Sequence, residues 1–315
     1  MRRRTRGHSP GRFFLACVTA LILVAAVPAS TAAAEDADLI ARGEHVFRAA
    51  NCQSCHTDVK NKGPLLAGGR ALKTPFGTFY GPNITPHPEH GIGRWSDADF
   101  IAALRHGRAP DGSHYFPVFP YTSFTRMTDA DMQALKAYIF TLPPVARANR
   151  EHEIDFPFGW RFLMRFWKWL SFEPGPLAPD PARSAAWNRG AYLVEALGHC
   201  GECHTPRDMM GAPDPSMAFA GTNRGPDGGK VPNITPDPET GIGKWRAKDL
   251  VFLFRTSLLP DGDTVGELMG EVVQNSTRHL SDEDLNAIVA YLEALTPIRN
   301  RIGKPKKERA GSEWQ

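Results

Sequence analysis

The chain has 315 residues, 42% hydrophobic and 23% charged, which is enough for about two ordinary globular domains. Its formal net charge of +3 becomes −2 once Arg2, Arg3, Arg4, Arg6 and Arg12 of an N-terminal segment are set aside, so it lacks the cationic balance of a nucleic-acid binder. With 29 Gly and 27 Pro, short helices joined by turn-rich loops are expected rather than sheets.

Residues 1–34 read as a secretory signal peptide. An arginine-rich start leads into an apolar run from Phe13 to Val27, and Ala32-Ala33-Ala34 before Glu35 offers a small-residue cleavage site. The apolar run is shorter than the ~20 residues a spanning helix needs, and Cys17 follows too short an apolar stretch for a lipoprotein cut. Export to the periplasm is the expectation. Residues 35–145 then form a first unit: a helix near Ala41, a long loop, a short helix around Asp97–His106 and a closing helix. That closing helix begins at Thr128-Asp129-Ala130-Asp131 and carries Met132, Leu135, Tyr138 and Ile139 as its apolar stripe. Residues 146–184 connect to a second unit, 185–298, with a short helix around Lys248–Ser257. Its closing helix begins at Ser281-Asp282-Glu283-Asp284 and carries Leu285, Ile288, Tyr291 and Leu292. Residues 299–315 form a polar, basic and disordered tail.

Of five cysteines, Cys17 leaves with the leader. The other four lie in Cys52-Gln53-Ser54-Cys55-His56 and Cys200-Gly201-Glu202-Cys203-His204. C-x-x-C-H is the signature of c-type haem attachment. Two thiols three residues apart can bond both vinyl groups of one haem, and the histidine that follows lies under the iron as proximal ligand. A shared four-cysteine zinc site would leave both histidines unexplained. Two thioredoxin-like redox pairs would need a strand–helix context that the sequence does not show. Two covalent haem c groups are therefore expected, on Cys52 and Cys55 and on Cys200 and Cys203, with His56 and His204 on the irons.

The chain is a duplication. Ala41-Arg42-Gly43-Glu44 answers Asn188-Arg189-Gly190-Ala191. At an offset of 150 residues, Pro82-Asn83-Ile84-Thr85-Pro86 recurs as Pro232-Asn233-Ile234-Thr235-Pro236, and Gly91-Ile92-Gly93-Arg94-Trp95 as Gly241-Ile242-Gly243-Lys244-Trp245. Each unit is small, and a haem supplies the apolar centre that it lacks.

With these blocks and the following His204-Thr205-Pro206-Arg207, residues 35–298 resemble the multihaem cytochrome subunits of bacterial membrane-associated alcohol, aldehyde and gluconate dehydrogenases. The fold implied is all-α: two tandem class I cytochrome c domains joined by an aromatic-rich connector. Those subunits usually carry three haems, and this chain carries two. The resemblance implies Met269 as sixth ligand of the second haem. Met209, Met210 and Met217 lie too near the haem motif to reach the far face. The corresponding position in the first unit is Phe119, in Pro117-Val118-Phe119-Pro120-Tyr121, where relatives often carry Met. Phenylalanine cannot ligate iron. Met127, which aligns with Leu280, is the leading candidate there, with His106, His114 or an open iron as alternatives; Met132 belongs to the buried stripe.

Several residues keep two readings. Trp95 and Trp245 either bond a haem propionate or pack in the core, and Arg207 either pairs with a propionate or is exposed. His45, His87, His90, His152, His199 and His279 read as surface or loop residues. The segment Phe156–Phe172 has five Phe and three Trp broken by Arg161, Arg165 and Lys168, with Trp160, Leu163, Met164 and Trp167 sharing one face. It either packs between the two units or forms a docking surface for a partner or for a peripheral membrane contact. The function expected is electron transfer. A periplasmic or membrane-associated dehydrogenase is the donor, and a terminal oxidase, quinone or soluble cytochrome the acceptor. The rival is a dihaem redox enzyme, a peroxidase or small-anion dehydrogenase, with one open iron; a gas sensor is a third option. Phe119 is the feature that favours the rivals.

Overall fold

The computed structural model describes residues 29–303, so most of the signal-peptide segment and of the basic tail lies outside the described residues. The first half runs α1 (Ala29–Ala49), α2 (Cys52–His56), a hairpin of β1 (Ala71–Thr74) and β2 (Gly77–Tyr80), α3 (Asp97–His106), α4 (Tyr121–Phe124) and α5 (Asp129–Thr141). A two-residue strand, β3 (Glu153–Ile154), and α6 (Leu163–Ser171) belong to the connector. The second half runs α7 (Ala185–Ala191), a π-helical turn Tyr192–Leu197, α8 (Gly201–His204), α9 (Ala247–Thr256), α10 (Glu267–Asn275) and α11 (Asp282–Glu293). The molecule is mostly helical. The hairpin with its third strand, antiparallel in the order β1-β2-β3, departs from the expectation of helices and loops alone. Its run Gly77-Thr78-Phe79-Tyr80 buries Phe79 and Tyr80, and the Tyr80 amide bonds His152 Nδ1 at 3.1 Å, giving this histidine a structural place.

The repeated blocks make repeated contacts. Gly43 and Gly190 lie where the opening helix of each half crosses the closing helix. A Cβ there would fall 2.0 Å from the carbonyl oxygen of Ala134 or Ala287, so only glycine permits the crossing. The neighbouring arginines tie the same crossings, Arg42 to Asp131 at 2.7 Å and Arg189 to Asp284 at 2.7 Å. Thr128 and Ser281 accept the amides of Asp131 and Asp284 as helix N-caps. Arg105 and Arg255 each donate to the carbonyl of a residue just before a closing helix, Thr125 and Arg278, and pair with Asp129 and Asp282.

The halves meet through reciprocal contacts. His45 reaches across to Asp284 at 3.0 Å, and Tyr192, at the equivalent position of the second half, donates to Asp131 at 2.5 Å. One buried apolar cluster runs through the joint, from Val46, Phe47 and Leu135 to Val194, Leu197 and Leu285. His45 is thus an interface residue. Burial by itself raises the Asp284 carboxyl, but hydrogen bonds from His45 and Arg189 more than reverse this and hold it well below the usual carboxylate range.

A carboxylate depressed in the folded state contributes stability above its unfolded value of about 4, and that contribution is lost as pH falls through the folded value. Asp284→Asn should therefore cost about 1–3 kcal/mol at neutral pH, a range lowered for the partial exposure of its partners. The gap from wild type should narrow below about pH 4. Urea unfolding at the two pH values measures it, and an unchanged gap would contradict this account.

Candidate haem sites

In each half the C-x-x-C-H block is a single helical turn, α2 or α8 with Cys200 at its N-cap. The residue just before it, Asn51 or His199, takes a left-handed conformation (φ 51° and 38°) that turns the chain sharply into the motif. The four cysteines form no disulfide among the described residues and are half-buried. Burial pushes Cys52 and Cys200 up to about 12 and Cys203 to about 11, with the neighbouring carboxylate of Glu202 also raising Cys203. Among the described residues no three His, Cys, Asp or Glu side chains converge as a metal set, so the two pairs do not share one ion.

The histidines are oriented by a partner that the sequence did not reveal. His56 Nδ1 lies 2.8 Å from the carbonyl oxygen of Pro82, and His204 Nδ1 lies 2.8 Å from that of Pro232. A carbonyl can only accept, so each Nδ1 carries the proton and each Nε2 is left as the donor for a metal. This explains the P-N-I-T-P repeat. Its proline carbonyl aims the histidine, and its asparagine and threonine fasten the loop to the chain beyond the closing helix. Asn83 donates to Val145 and Arg147 carbonyls at 2.8 and 3.0 Å, and Asn233 to Ile298 at 2.7 Å; Thr85 and Thr235 accept the amides of Val145 and Ile298. Two thiols on one turn beside an imidazole with a free Nε2 are a donor set that fits haem c, twice over.

The other predicted residues fall as follows. Met269 is half-buried on α10, packed against the core near its position in the loop before the closing helix. Met127 has 0% of its surface exposed, in the place that the buried Leu280 fills in the second half, and Met132 is likewise at 0%. Phe119 is half-buried in a cage of Tyr115, Tyr121 and Phe124 rings. Trp95 and Trp245 are half-buried against the core, and neither indole has a hydrogen-bond partner among the described residues. Arg207 is neither free nor merely exposed: it pairs with Glu202 and donates to the Gly211 carbonyl at 2.7 Å, bracing the second C-x-x-C-H turn. His199 packs its ring on Phe124 of the other half.

Each haem turn is also held by a helix of the other half. Glu202, between Cys200 and Cys203, accepts from Thr122 at 2.5 Å and Ser123 at 2.9 Å on α4 of the first half. Ser54, between Cys52 and Cys55, accepts from Asn275 at 2.8 Å on α10 of the second half, and Arg70 pairs with Glu271 at 2.8 Å. Burial alone raises the Glu202 carboxyl, but Arg207 and the Thr122 hydroxyl reverse this and hold it low.

A family model for cytochrome c matches residues 40–143 and again 188–296, one match around each motif. The chain belongs to the cytochrome c family. It is 45% identical over 265 residues to a "Diheme cytochrome c-type" protein of Cereibacter sphaeroides, covering 82% of this chain and 86% of that one. It is 40% identical over 267 residues to the fructose dehydrogenase cytochrome subunit of Gluconobacter japonicus, and 39% identical over 269 residues to the gluconate 2-dehydrogenase cytochrome c subunit of Pantoea cypripedii. It spans only 54% and 59% of those two proteins. The chain is therefore a dihaem cytochrome c with one covalent haem on Cys52 and Cys55 and another on Cys200 and Cys203, homologous to cytochrome subunits of bacterial dehydrogenases.

Asn233→Ala would strand the buried end of the loop that aims His204. It should lower stability by about 1–3 kcal/mol, the cost of unsatisfied buried partners. Denaturant unfolding followed by visible absorbance checks this, and an unchanged midpoint would show that the loop holds itself.

Proposed function

We propose that this cytochrome works in the periplasm as an electron carrier. It takes electrons from a periplasmic or membrane-associated dehydrogenase and delivers them to an oxidase, quinone or soluble cytochrome. The observation that carries this reading is the reciprocal seating of the two haem turns, which gives one chain two neighbouring one-electron sites. Bound haem supplies reversible one-electron chemistry at iron. The protein's part is to orient His56 and His204 through Pro82 and Pro232, to hold the turns apart from bulk water and to set the polarity around them. Among the described residues no helix is long and apolar enough to cross a membrane.

In this reading His56 and His204 are the proximal ligands and Met269 the sixth ligand of the second haem. Met127 is the candidate for the first. It rests on its thioether alone, since its enclosure matches that of Leu280. Phe119 in the equivalent place to Met269 is the observation behind the second reading, a redox enzyme or gas sensor with one open iron.

The weak sulfur-to-iron band at the red end of the oxidised spectrum separates these readings. Wild type with two low-spin His/Met centres is the carrier; one high-spin centre is the enzyme or sensor. Met269→Leu should remove the second centre's share of the band and leave folding intact, the swap costing less than about 1.5 kcal/mol. Met127→Leu should remove the first centre's share, and a full band in that variant would reduce Met127 to packing. Cys52→Ala with Cys55→Ala should leave one covalent haem by pyridine haemochrome. None at all in stable protein would sink the picture of two separate sites.

A further inference from the structure

Helix α6 shows two faces. Leu163, Met164, Trp167 and Lys168 turn inward. The Trp167 indole donates to the Met210 carbonyl of the second half at 2.9 Å, and Lys168 donates to the carbonyls of His106 and Gly107, at 2.7 and 2.8 Å, at the end of α3. The opposite face is apolar too, yet faces solvent. Phe162, Phe166, Trp169 and Leu170 lie at helical spacing with 66%, 57%, 77% and 51% of their surface exposed, and Phe156 and Trp160 extend the patch through ring contacts. Contiguous exposed apolar surface of this kind marks an interaction site.

Beside this patch lies a concavity of about 570 Å³ lined by Arg108, Ser113, His114, Arg161, Phe162 and Arg165. None of its three arginines is in a salt bridge among the described residues. Arg161 donates to the His114 carbonyl at 3.4 Å, and the nearby Asp111 carboxylate accepts the Ser113 amide of its own turn at 2.8 Å. Burial, with the charges of Lys168, Arg108 and Arg165, lowers His114. The duplication supplies an internal control. At the equivalent turn of the second half a concavity of about 530 Å³ has Leu258 where the first has Arg108, and its charged lining is one cation, Lys248, beside one acid, Asp249. The fold does not require a cationic hollow here; the connector and Arg108 make one.

The composition of the patch points to its occupant. Residues 156–172 hold no Asp or Glu, so the face carries cations and no carboxylate that an anionic surface would repel. It offers rings of the kind enriched at membrane interfaces and arginines that can reach phosphate from an apolar stem. We propose that the outer face of α6 docks the protein on an anionic lipid surface, with Phe162, Phe166, Trp169 and Leu170 entering the headgroup boundary and Arg108, Arg161 and Arg165 receiving a lipid phosphate. This deepens the location proposed above and rests on no assignment of axial ligands, which the spectrum decides separately.

The test is co-sedimentation of the haem-loaded protein with vesicles of phosphatidylcholine alone or mixed with phosphatidylglycerol. Binding to the mixed vesicles should be at least about tenfold tighter than to phosphatidylcholine, since each cation near an anionic surface adds to the attraction. Arg161→Glu with Arg165→Glu should weaken it at least about tenfold. Phe166→Ser with Trp169→Ser should release the protein from both vesicles, and both variants should keep the wild-type visible spectrum as proof of folding. Wild type retained by neither vesicle overturns the proposal, as does retention unaffected by the substitutions. Self-association lost in Phe166→Ser with Trp169→Ser, without vesicle binding, would assign the face to a second copy and overturn it equally.

Discussion

Each haem turn of this cytochrome is only four or five residues of helix, too short to hold its own conformation. Its position comes from contacts made on two sides. Within its own half the P-N-I-T-P loop presents a proline carbonyl to the histidine. From the other half a segment before the closing helix reaches the residues between the cysteines: α4 to Glu202, and α10 to Ser54. The crossings of the opening and closing helices and the joined apolar cluster bring these segments together. The redox sites are thus a product of the joint as much as of either half, and a single half taken alone would lack one of its supports.

Much of this was legible in the sequence because duplication repeats it. The two C-x-x-C-H blocks carry their chemistry in their spacing. The capped closing helices follow from hydroxyl N-caps and an apolar stripe, and α3 runs over Asp97–His106 as the sequence indicates. What stayed hidden depends on long-range pairing. The P-N-I-T-P block was visible as a repeat, but the carbonyl that aims each histidine is backbone and carries no residue signature. His45 and Tyr192 occupy equivalent places with different side chains, so nothing in either name tells that both reach an acid of the other half. Arg207 looked available for a propionate because its partner, Glu202, had no visible role. The β1–β2 hairpin is not legible in the sequence because β2 buries two consecutive residues, Phe79 and Tyr80, and so breaks the alternation that marks a strand.

The connector had two readings from sequence, packing between the halves or docking outward, and the structure gives each to a different face of α6. The inward face is a strut: Lys168 caps the carbonyl end of α3 and its charge lies 4.4 Å from the Tyr121 ring, while burial and Arg108 push it down to about 8. This strut fixes α3 in the first half and the loop after the second haem motif with one helix. It explains how so aromatic a segment is kept in order while leaving most of its rings in water.

The account's central claim is that the two cytochrome c units are one cooperative body joined through their haem turns. Scanning calorimetry of the haem-loaded protein tests it most directly. A single transition whose calorimetric and van't Hoff enthalpies agree, displaced as a whole by Asp284→Asn, is the result the account requires. Two resolved transitions, with only one of them moved by that substitution, would show the halves to be independent domains on a tether and would contradict it.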